Sequence, residues 1–345
     1  MEELRIRILN TIGFLIIFRL GSFIVLPGVD PAQLTGDTGG IFGLLNTFLG
    51  GAFSRASVFG LGIMPYISAS IVLQLMTVAV PYFQKLQKEG DSGRKKISQI
   101  TRVLTIFICL AQSIGYINAT IPAEAIVMGN PFLFQMSSIV ILTAGTIFCM
   151  WLGEKITDKG IGNGISMLIM IGIISRFPGS IVAEFLSRGM SQALIFILEL
   201  VALFLVVMAT VALVQAVRRI PVQYAKQVVG NKVYGGQRQY IPLKVNSSGV
   251  MPIIFAQSLM FLPALLAGIW VDSSDTAQYV STTFSDIQSW QYNLLFAVLI
   301  ILFTFFYTAI TINPTQIADD MKRNGGFVPG IKPGKQTSDF IDNVL

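Results

Sequence analysis

Histidine is absent from the 345 residues of the chain, and charged residues are scarce at 12%. The lack of histidine removes the commonest general base and the commonest transition-metal ligand from any enzymatic hypothesis. The scarcity of charge excludes an ordinary water-soluble domain, in which about 25% of residues are charged. Hydrophobic residues make up 53% of the chain, and its mean hydropathy is +0.69. These proportions predict a polytopic membrane protein.

Cysteine is also scarce, and its two residues are Cys109 and Cys149. Both lie inside apolar runs, so we expect small buried side chains rather than a disulfide. The motif GIGNG at 160–164 lacks the preceding strand and the GK[ST] ending of a phosphate-binding loop, so it predicts a tight turn that caps a helix. The apolar runs hold no cluster of acidic residues. We therefore expect no enzyme activity, no cofactor and no metal site.

Long apolar runs are abundant, and they predict the membrane-spanning helices. A span needs about 20 mostly apolar residues. Eight windows meet this requirement: 8–27, 62–82, 103–121, 134–152, 161–178, 192–216, 248–268 and 291–311. The first lacks a small-residue cleavage site, which favours a retained helix over a secretory signal. Arg19 lies within it, and its insertion cost of about 2.5 to 3.5 kcal/mol predicts that it faces the protein interior or an interface.

The lysines and arginines predict the orientation of these spans, because loops rich in them remain cytoplasmic. With the amino terminus inside, 20 of the 24 basic residues fall in cytoplasmic segments. Only Arg55, Arg176 and Arg188 then lie outside. Eight spans also return the end of the chain to the cytoplasm, so both termini are predicted to be cytoplasmic.

The segment GGIFGLLNTFLGGAF at 39–53 is apolar but too short to cross a membrane. Ile41, Leu44, Leu45 and Phe48 recur at helical spacing, which predicts a short amphipathic helix. Its position between two spans indicates a re-entrant element that enters from the outside. The alternative is a helix that lies in the outer interface.

Five long motifs follow one another along the chain: GGAFSRASVFGLGIMPYISASIVLQLMT at 50–77, KEGDSGRKKISQITR at 88–102, MWLGEKITDKGIGNGIS at 150–166, IPLKVNSSGVMPIIFA at 241–256 and GGFVPGIKPGKQT at 325–337. These motifs resemble the bacterial SecY family, whose members are the channel subunit of the general protein-secretion (Sec) translocon. The resemblance runs from about Arg5 to Leu345. It implies a channel that translocates unfolded preproteins across the bacterial cytoplasmic (inner) membrane and releases hydrophobic segments laterally into it.

The resemblance also implies an architecture. The family has ten spans in two inverted five-helix halves that form a clamshell. Residues 1–185 would form the N-terminal half, with five spans and a plug helix at about 39–60. Residues 186–345 would form an incomplete C-terminal half, with three spans, a basic cytoplasmic loop at 217–244 and a cytoplasmic tail at 312–345. The last two of the ten spans would be missing from this chain.

The family match further implies roles for particular residues. A hydrophobic pore ring would contain Ile63, Ile67, Ile169 and Ile254. A plug would close the external funnel with Ile41, Phe42, Leu44, Leu45, Phe48 and Leu49. A lateral gate toward lipid would use Ser68, Gln74, Thr77, Gln112 and Asn246. On spacing alone, the isoleucines would be ordinary packing residues and Gln74 a residue that joins two helices.

The loop 217–244 holds six basic residues and no acidic one, and its valine and tyrosine runs around Gly235 and Gly236 predict a hairpin. From composition alone, this charge could serve only to fix topology. The resemblance instead implies docking of the motor ATPase SecA and the ribosome by Arg218, Arg219, Lys226, Lys232, Arg238, Lys322, Arg323 and Lys332. It also implies SecE and SecG-type subunits, preprotein signal sequences and membrane lipids as partners.

Two other functions remain open at this stage. A secondary transporter would also have inverted repeats and broken helices, but it would usually need charges within the membrane. Arg19 and Glu199 are the main candidates, and neither has an obvious partner by spacing. The other possibility is a truncated fragment of the translocon that does not conduct.

Overall fold

The computed structural model describes residues 2–34, 46–47, 49–189, 193–224, 227–229, 232–234, 238–257, 259–260, 283 and 289–344. Helices make up most of this part of the chain. Those before the first strand are α1 (Glu2–Gly21), α2 (Met64–Ala79), α3 (Pro81–Lys88), α4 (Asp91–Thr120), α5 (Pro131–Lys159), α6 (Gly164–Arg188) and α7 (Ala193–Gln215). Those near the end are α8 (Trp290–Thr311), α9 (Pro314–Arg323) and α10 (Lys335–Val344). Residues 251–257 are also helical.

Membrane-length helices occupy most of the predicted windows. Among the described residues, α4, α5, α6 and α7 are each long and apolar enough to span, as is the stretch Trp290–Arg323 that holds α8 and α9. A sixth candidate is α2 with α3, which are bent by 101° at a short break. The helix α1 has sufficient length, but it carries three arginines. Nine of the 21 residues of the seventh window lie outside the described residues, so the total of eight spans stays a prediction.

Proline and asparagine begin several of these helices. Proline occupies the first turn of α2, α3, α5 and α9, where its missing amide proton costs no helical hydrogen bond. Asn130 caps α5 by accepting a hydrogen bond from the amide of Phe132 at 3.1 Å. Asn163 accepts hydrogen bonds from the amides of Ile165 and Ser166 at the start of α6. The GIGNG segment is thus the helix-capping turn that the sequence predicts.

Contacts divide the chain into two compact units, and the first contains Met1–Ser187 and Phe255–Ala297. In this unit α4 packs against α2 and α5, and α1 packs against α5. Cys109 and Cys149 are buried and unpaired, as expected, and the thiol of Cys109 lies 3.4 Å from the Thr146 hydroxyl across the α4–α5 contact. The predicted division into two inverted halves at residue 185 stays a prediction.

The second unit contains Arg188–Ile254 and Val298–Leu345. Its strands are β1 (Val217–Tyr224), β2 (Gln227–Val229), β3 (Lys232–Tyr234), β4 (Arg238–Lys244) and β5 (Gly326–Phe327). Strand β1 pairs antiparallel with β4 on one side and β5 on the other, and β2 pairs with β3. A hairpin therefore forms as predicted. The pairing of β2 with β3 places Val229 opposite Lys232, so the chain reverses between these two residues.

A small apolar core holds the sheet-containing part of this second unit together. Ile220 and Val222 of β1 and Leu243 of β4 are buried against side chains from α9, α10 and the chain that follows β5. The most deeply buried of these partners is Ile341 of α10, which is 1% exposed. The hairpin and the segment 314–344 therefore form one folded piece.

Candidate functional site

Two isoleucines of the predicted pore ring lie at the start of α2. The amide of Ile67 donates to the carbonyl of Ile63 at 3.1 Å, so the two residues are one helical turn apart. Ile63 belongs to a buried cluster that includes Leu152 of α5 and Leu168 of α6, and Ile169 packs against the same cluster. The structure thus brings three of the four predicted ring residues into one region of the first unit. The fourth, Ile254, belongs to the second unit.

Five of the six residues named for the predicted plug lie outside the described residues. This applies to Ile41, Phe42, Leu44, Leu45 and Phe48, whereas Leu49 is described. Leu49 is 6% exposed and belongs to the apolar core of the first unit. A Cβ added at Gly62, the residue before Ile63, would collide with the Leu49 side chain. The end of the predicted plug therefore lies directly beside the predicted ring.

A group of arginines surrounds the turn that follows Leu49. The carbonyl of Gly50 accepts hydrogen bonds from Arg19 Nη1 and Arg55 Nη2, both at 2.8 Å. The carbonyl of Gly51 accepts one from Arg55 Nε at 3.0 Å. Burial lowers the pKa of the Arg55 guanidinium, and the charges of Arg19 and Arg176 lower it further. Arg19 thus faces the protein interior, as the cost of a charge within the membrane predicts.

Sequence reasoning did not find this arginine group. Arg19 and Gly50 are 31 positions apart, so no local pattern links them. The signal that could have indicated it is the pair Gly50–Gly51, which has φ angles of +61° and +90°. Such angles favour glycine, so the paired glycines indicate a turn that other residues adopt at a cost.

The predicted gate residues are described, but their hydrogen bonds are local. Gln74 Nε2 lies 3.4 Å from the hydroxyl of Ser70, and the hydroxyl of Thr77 donates to the carbonyl of Gln74 at 2.6 Å. Ser68 donates to the carbonyl of Met64 at 3.2 Å, so these α2 side chains bond within their own helix. Gln112 lies on α4, which packs against α2.

Asn246, the fifth predicted gate residue, belongs to the second unit and lies just before the helical residues 251–257. Its side-chain oxygen accepts hydrogen bonds from the hydroxyl of Ser248 at 3.2 Å and the amide of Gly249 at 3.0 Å. These contacts make Asn246 a turn-forming residue at the entrance to that helix.

Basic side chains are exposed on the second unit. Arg218 and Arg219 lie on the exposed part of β1, and Lys322, Arg323 and Lys332 are exposed beyond α8. All five belong to the folded piece that holds the hairpin and the segment 314–344. The remaining predicted docking residues, Lys226, Lys232 and Arg238, have side chains outside the described set.

The two intramembrane charges that the transporter hypothesis required have structural partners. Arg19 bonds to the Gly50 carbonyl. Glu199 of α7 forms an ion pair with Arg188, with a 2.6 Å distance between its Oε1 and Arg188 Nη2. Helical spacing indicates neither partner, because both partners come from neighbouring loops and helix ends. These contacts weaken the case for a coupling-ion site.

Comparison with known proteins decides the family. The SecY family pattern matches residues 57–345. Protein translocase subunit SecY of Escherichia coli strain K12 is 45% identical over 356 aligned residues, which cover 100% of this chain and 80% of the relative. The chain belongs to the SecY family. Its Streptomyces scabiei relative, also a protein translocase subunit SecY, is 41% identical, with 99% of this chain and 82% of the relative covered.

The fold is also that of solved channels. A structure of a protein-conducting channel matches with a TM-score of 0.67 and 17% identity, covering 99% of this chain and 82% of that one. Sec61 in a canine ribosome–channel complex from the endoplasmic reticulum matches with a TM-score of 0.61 and 16% identity, covering 99% and 81%. The predicted fold class and the predicted function are confirmed: this is an α-helical membrane protein and a channel subunit of a protein translocon.

Proposed function

We propose that Ile63, Ile67, Ile169 and Ile254 form the constriction through which an unfolded preprotein passes. The observation that supports this assignment is that Ile63 and Ile169 pack in one apolar cluster, while Ile67 lies one helical turn from Ile63. A collar of β-branched apolar side chains offers no hydrogen bonds to water or ions, so it closes by dewetting. The same collar deforms around a polypeptide of any sequence.

Two further elements complete the proposed channel. The plug, at about 39–60, closes the outer side of the constriction, and the contact between Leu49 and Gly62 supports this position for its end. The lateral gate contains Ser68, Gln74, Thr77, Gln112 and Asn246, and it opens toward lipid. Interhelical hydrogen bonds between such side chains contribute roughly 0.6 to 2 kcal/mol each in membranes. A hydrophobic segment that enters between the helices could replace them at small cost.

The basic surface of the second unit is the proposed docking site for SecA and the ribosome. Its side chains can meet ribosomal RNA phosphates or acidic protein surfaces. SecE and SecG-type subunits complete the complex, and signal sequences and lipids contact the gate. The protein resides in the bacterial cytoplasmic membrane with the basic loops and both termini of this chain in the cytoplasm, as the distribution of its basic residues favours. It performs no chemistry of its own.

The pore assignment is tested by ion leak through the reconstituted translocon. Replacing Ile63 and Ile67 with glycine widens and wets the collar, so conductance without a preprotein should rise by about an order of magnitude. The matched control is Val72→Gly on the same helix, which has the same helix penalty but an exposed side chain. Equal conductance of the ring variant and the control would reject the pore assignment.

A further inference from the structure

The shortest hydrogen bonds to the carbonyls of Gly50 and Gly51 come from arginine side chains, and the Ser54 hydroxyl adds a longer one of 3.4 Å to the Gly51 carbonyl. We call Arg19, Arg55 and the two carbonyls that they bind the arginine clamp. The guanidinium of Arg55 spans two consecutive carbonyls, and the Gly50 carbonyl also binds Arg19 of α1. Hydrogen bonds from charged donors are the strong ones, and a guanidinium presents them in a fixed fork. The clamp therefore connects α1 to the loop before α2.

Topology does not explain these arginines. Positive charge outside the membrane opposes the usual distribution, in which basic residues remain cytoplasmic. Among the described residues, no carboxylate forms an ion pair with Arg19, Arg55 or Arg176. The ring of Phe23 and the carbonyls of the turn are the partners of Arg19 and Arg55 instead, with Arg19 Cζ 4.8 Å and Arg55 Cζ 4.3 Å from the Phe23 centroid. Contacts with Phe23 and with the turn therefore account for the position of Arg19 and Arg55.

The clamp acts on Leu49, which directly precedes the bound carbonyls. Leu49 is buried and its side chain occupies the space over Gly62, where even a methyl group would collide. Gly62 in turn precedes Ile63 of the proposed ring. We propose that Arg19 and Arg55 are positioning residues that keep Leu49 seated against Gly62 and so seal the outer side of the ring. This inference rests on the proposed function of Ile63.

The close approach of the guanidinium groups explains why this turn uses glycine. A Cβ at Gly50 would lie 2.6 Å from Arg19 Nη1, and a Cβ at Gly51 would lie 2.7 Å from the Nη2 atoms of both Arg55 and Arg176. A side chain at either position would displace the arginines without changing any charge. The clamp can therefore be disrupted either by replacing the arginines or by replacing the glycines of the turn.

The direct test measures the exposure of residue 49 in the assembled translocon. In a Leu49→Cys background, a membrane-impermeant maleimide added outside should label residue 49 slowly. The native thiols of Cys109 and Cys149 are buried, so they should add little to the labelling. Adding Arg55→Lys keeps the charge but loses the fork, so labelling should accelerate about tenfold, the ratio that corresponds to 1.4 kcal/mol. Arg19→Lys should accelerate labelling less, because Arg19 makes one of the three hydrogen bonds. An unchanged rate in Arg55→Lys would overturn the proposal.

Two more variants separate hydrogen bonding from charge. Gly51→Ala alters no charge and should accelerate labelling as Arg55→Lys does. Its control is Gly189→Ala, where φ is also positive at +64° but the added Cβ meets no atom within 4 Å. Arg176→Gln removes a neighbouring positive charge without removing a carbonyl contact, so labelling should stay the same or slow. Acceleration in Arg176→Gln equal to that in Arg55→Lys would show a charge effect and reject the clamp.

Ion leak distinguishes failure of the clamp from failure of the pore assignment. With Leu49 intact, Arg55→Lys and Gly51→Ala should each raise conductance without a preprotein, while Gly189→Ala should not. If the ring variants leak and the clamp variants do not, the clamp is wrong and the ring stands. If labelling in the Leu49→Cys background accelerates but neither set leaks, the pore assignment fails. Thermal unfolding of each purified complex checks that the variants are folded.

Discussion

At Gly145 the absence of a side chain lets α5 lie directly against the loop before α2. A Cβ at this position would collide with the carbonyl of Val58 and would lie 3.2 Å from the Phe59 ring. The carbonyl belongs to the backbone, which cannot rotate away as a side chain can. Close packing of this kind is how helices associate in a membrane, where the hydrophobic effect supplies little force between them.

Replacing Gly145 with alanine should therefore destabilise the protein by about 1 to 3 kcal/mol, the usual cost of overpacking. Thermal unfolding in detergent measures the effect. Gly13→Ala on α1 is the matched control, because its added Cβ meets no atom within 4 Å. Alanine is favoured over glycine in a helix by about 0.5 to 1 kcal/mol, so Gly13→Ala should be neutral or stabilising. A loss in Gly13→Ala as large as that in Gly145→Ala would contradict the packing explanation, because the Cβ added at Gly13 has nothing to collide with.

Residue-level expectations from sequence succeeded where the signal was local. The buried thiols and the GIGNG turn follow from the residues on either side of them, and the structure agrees. The partners of Arg19 and Glu199 could not be predicted this way. Each depends on where a distant loop or helix end lies, and the pattern of one helix carries no information about that position.

At the scale of an element, α2 shows how one helix presents several different faces. The run FGLGIMPYISASIVLQL at 59–75, which leads into α2 and forms most of it, mixes glycine, serine and glutamine with apolar residues, which a segment surrounded only by lipid would not need. Ile63 and Ile67 are buried in the first unit, and Val72 is exposed. Composition predicts that something other than lipid contacts part of this run, and helical periodicity predicts that it can present distinct faces. Its sharp bend into α3 follows from Pro81, which begins a new helix after Val80.

The sheet of the second unit is the element that the sequence could predict only in part. Valine and tyrosine runs indicate the pairing of β1 with β4, but β5 is two residues long and comes from beyond α8. No sequence pattern indicates that Gly326 and Phe327 pair with the end of β1. The sheet therefore joins the hairpin to the last segment of the chain through contacts that are remote in sequence.

This joining can be tested at Ile341, which is buried beneath the sheet on α10. Ile341→Ala removes a fully buried side chain, so the sheet-containing part of the second unit should lose about 2 to 5 kcal/mol. Limited proteolysis should then cleave both the hairpin and the segment 314–344 faster. The control is Val217→Ala on β1, whose side chain is exposed. Faster cleavage of α10 alone, with the hairpin unchanged, would show that the two parts are independent.

At the scale of the whole molecule, charge is distributed very unevenly. The net charge is +6, and the basic residues concentrate in segments predicted to be cytoplasmic. This distribution serves topology in any membrane protein, so it does not by itself indicate a partner. Arg218 and Arg219, like Lys244 on β4, are held on paired strands of a sheet. A fixed array of cations suits a partner that presents phosphates or carboxylates.

Reversing Arg218, Arg219 and Lys226 to glutamate should accordingly weaken binding of ribosomes and of the motor ATPase by about tenfold or more. If the three residues meet ribosomal RNA phosphates, the salt dependence of ribosome binding should also become shallower. The slope of log K against log salt should fall by about two to three, since each phosphate contact contributes roughly 0.7 to 0.9. Co-sedimentation over a salt series measures both quantities.

The matched control reverses Arg94, Lys95 and Lys96, which are exposed on α4 and predicted to be cytoplasmic. Both triple variants change the net charge equally and remove equal numbers of topology signals. Only the first variant removes Arg218 and Arg219 from the sheet. A general effect of charge, in contrast, would weaken binding in both variants. A binding constant and a salt slope unchanged in the first variant would leave topology as the only role of the loop. Equal weakening in both would assign the effect to long-range charge. Any exposed cation within about a Debye length of the partner attracts it, whether or not the two are in contact.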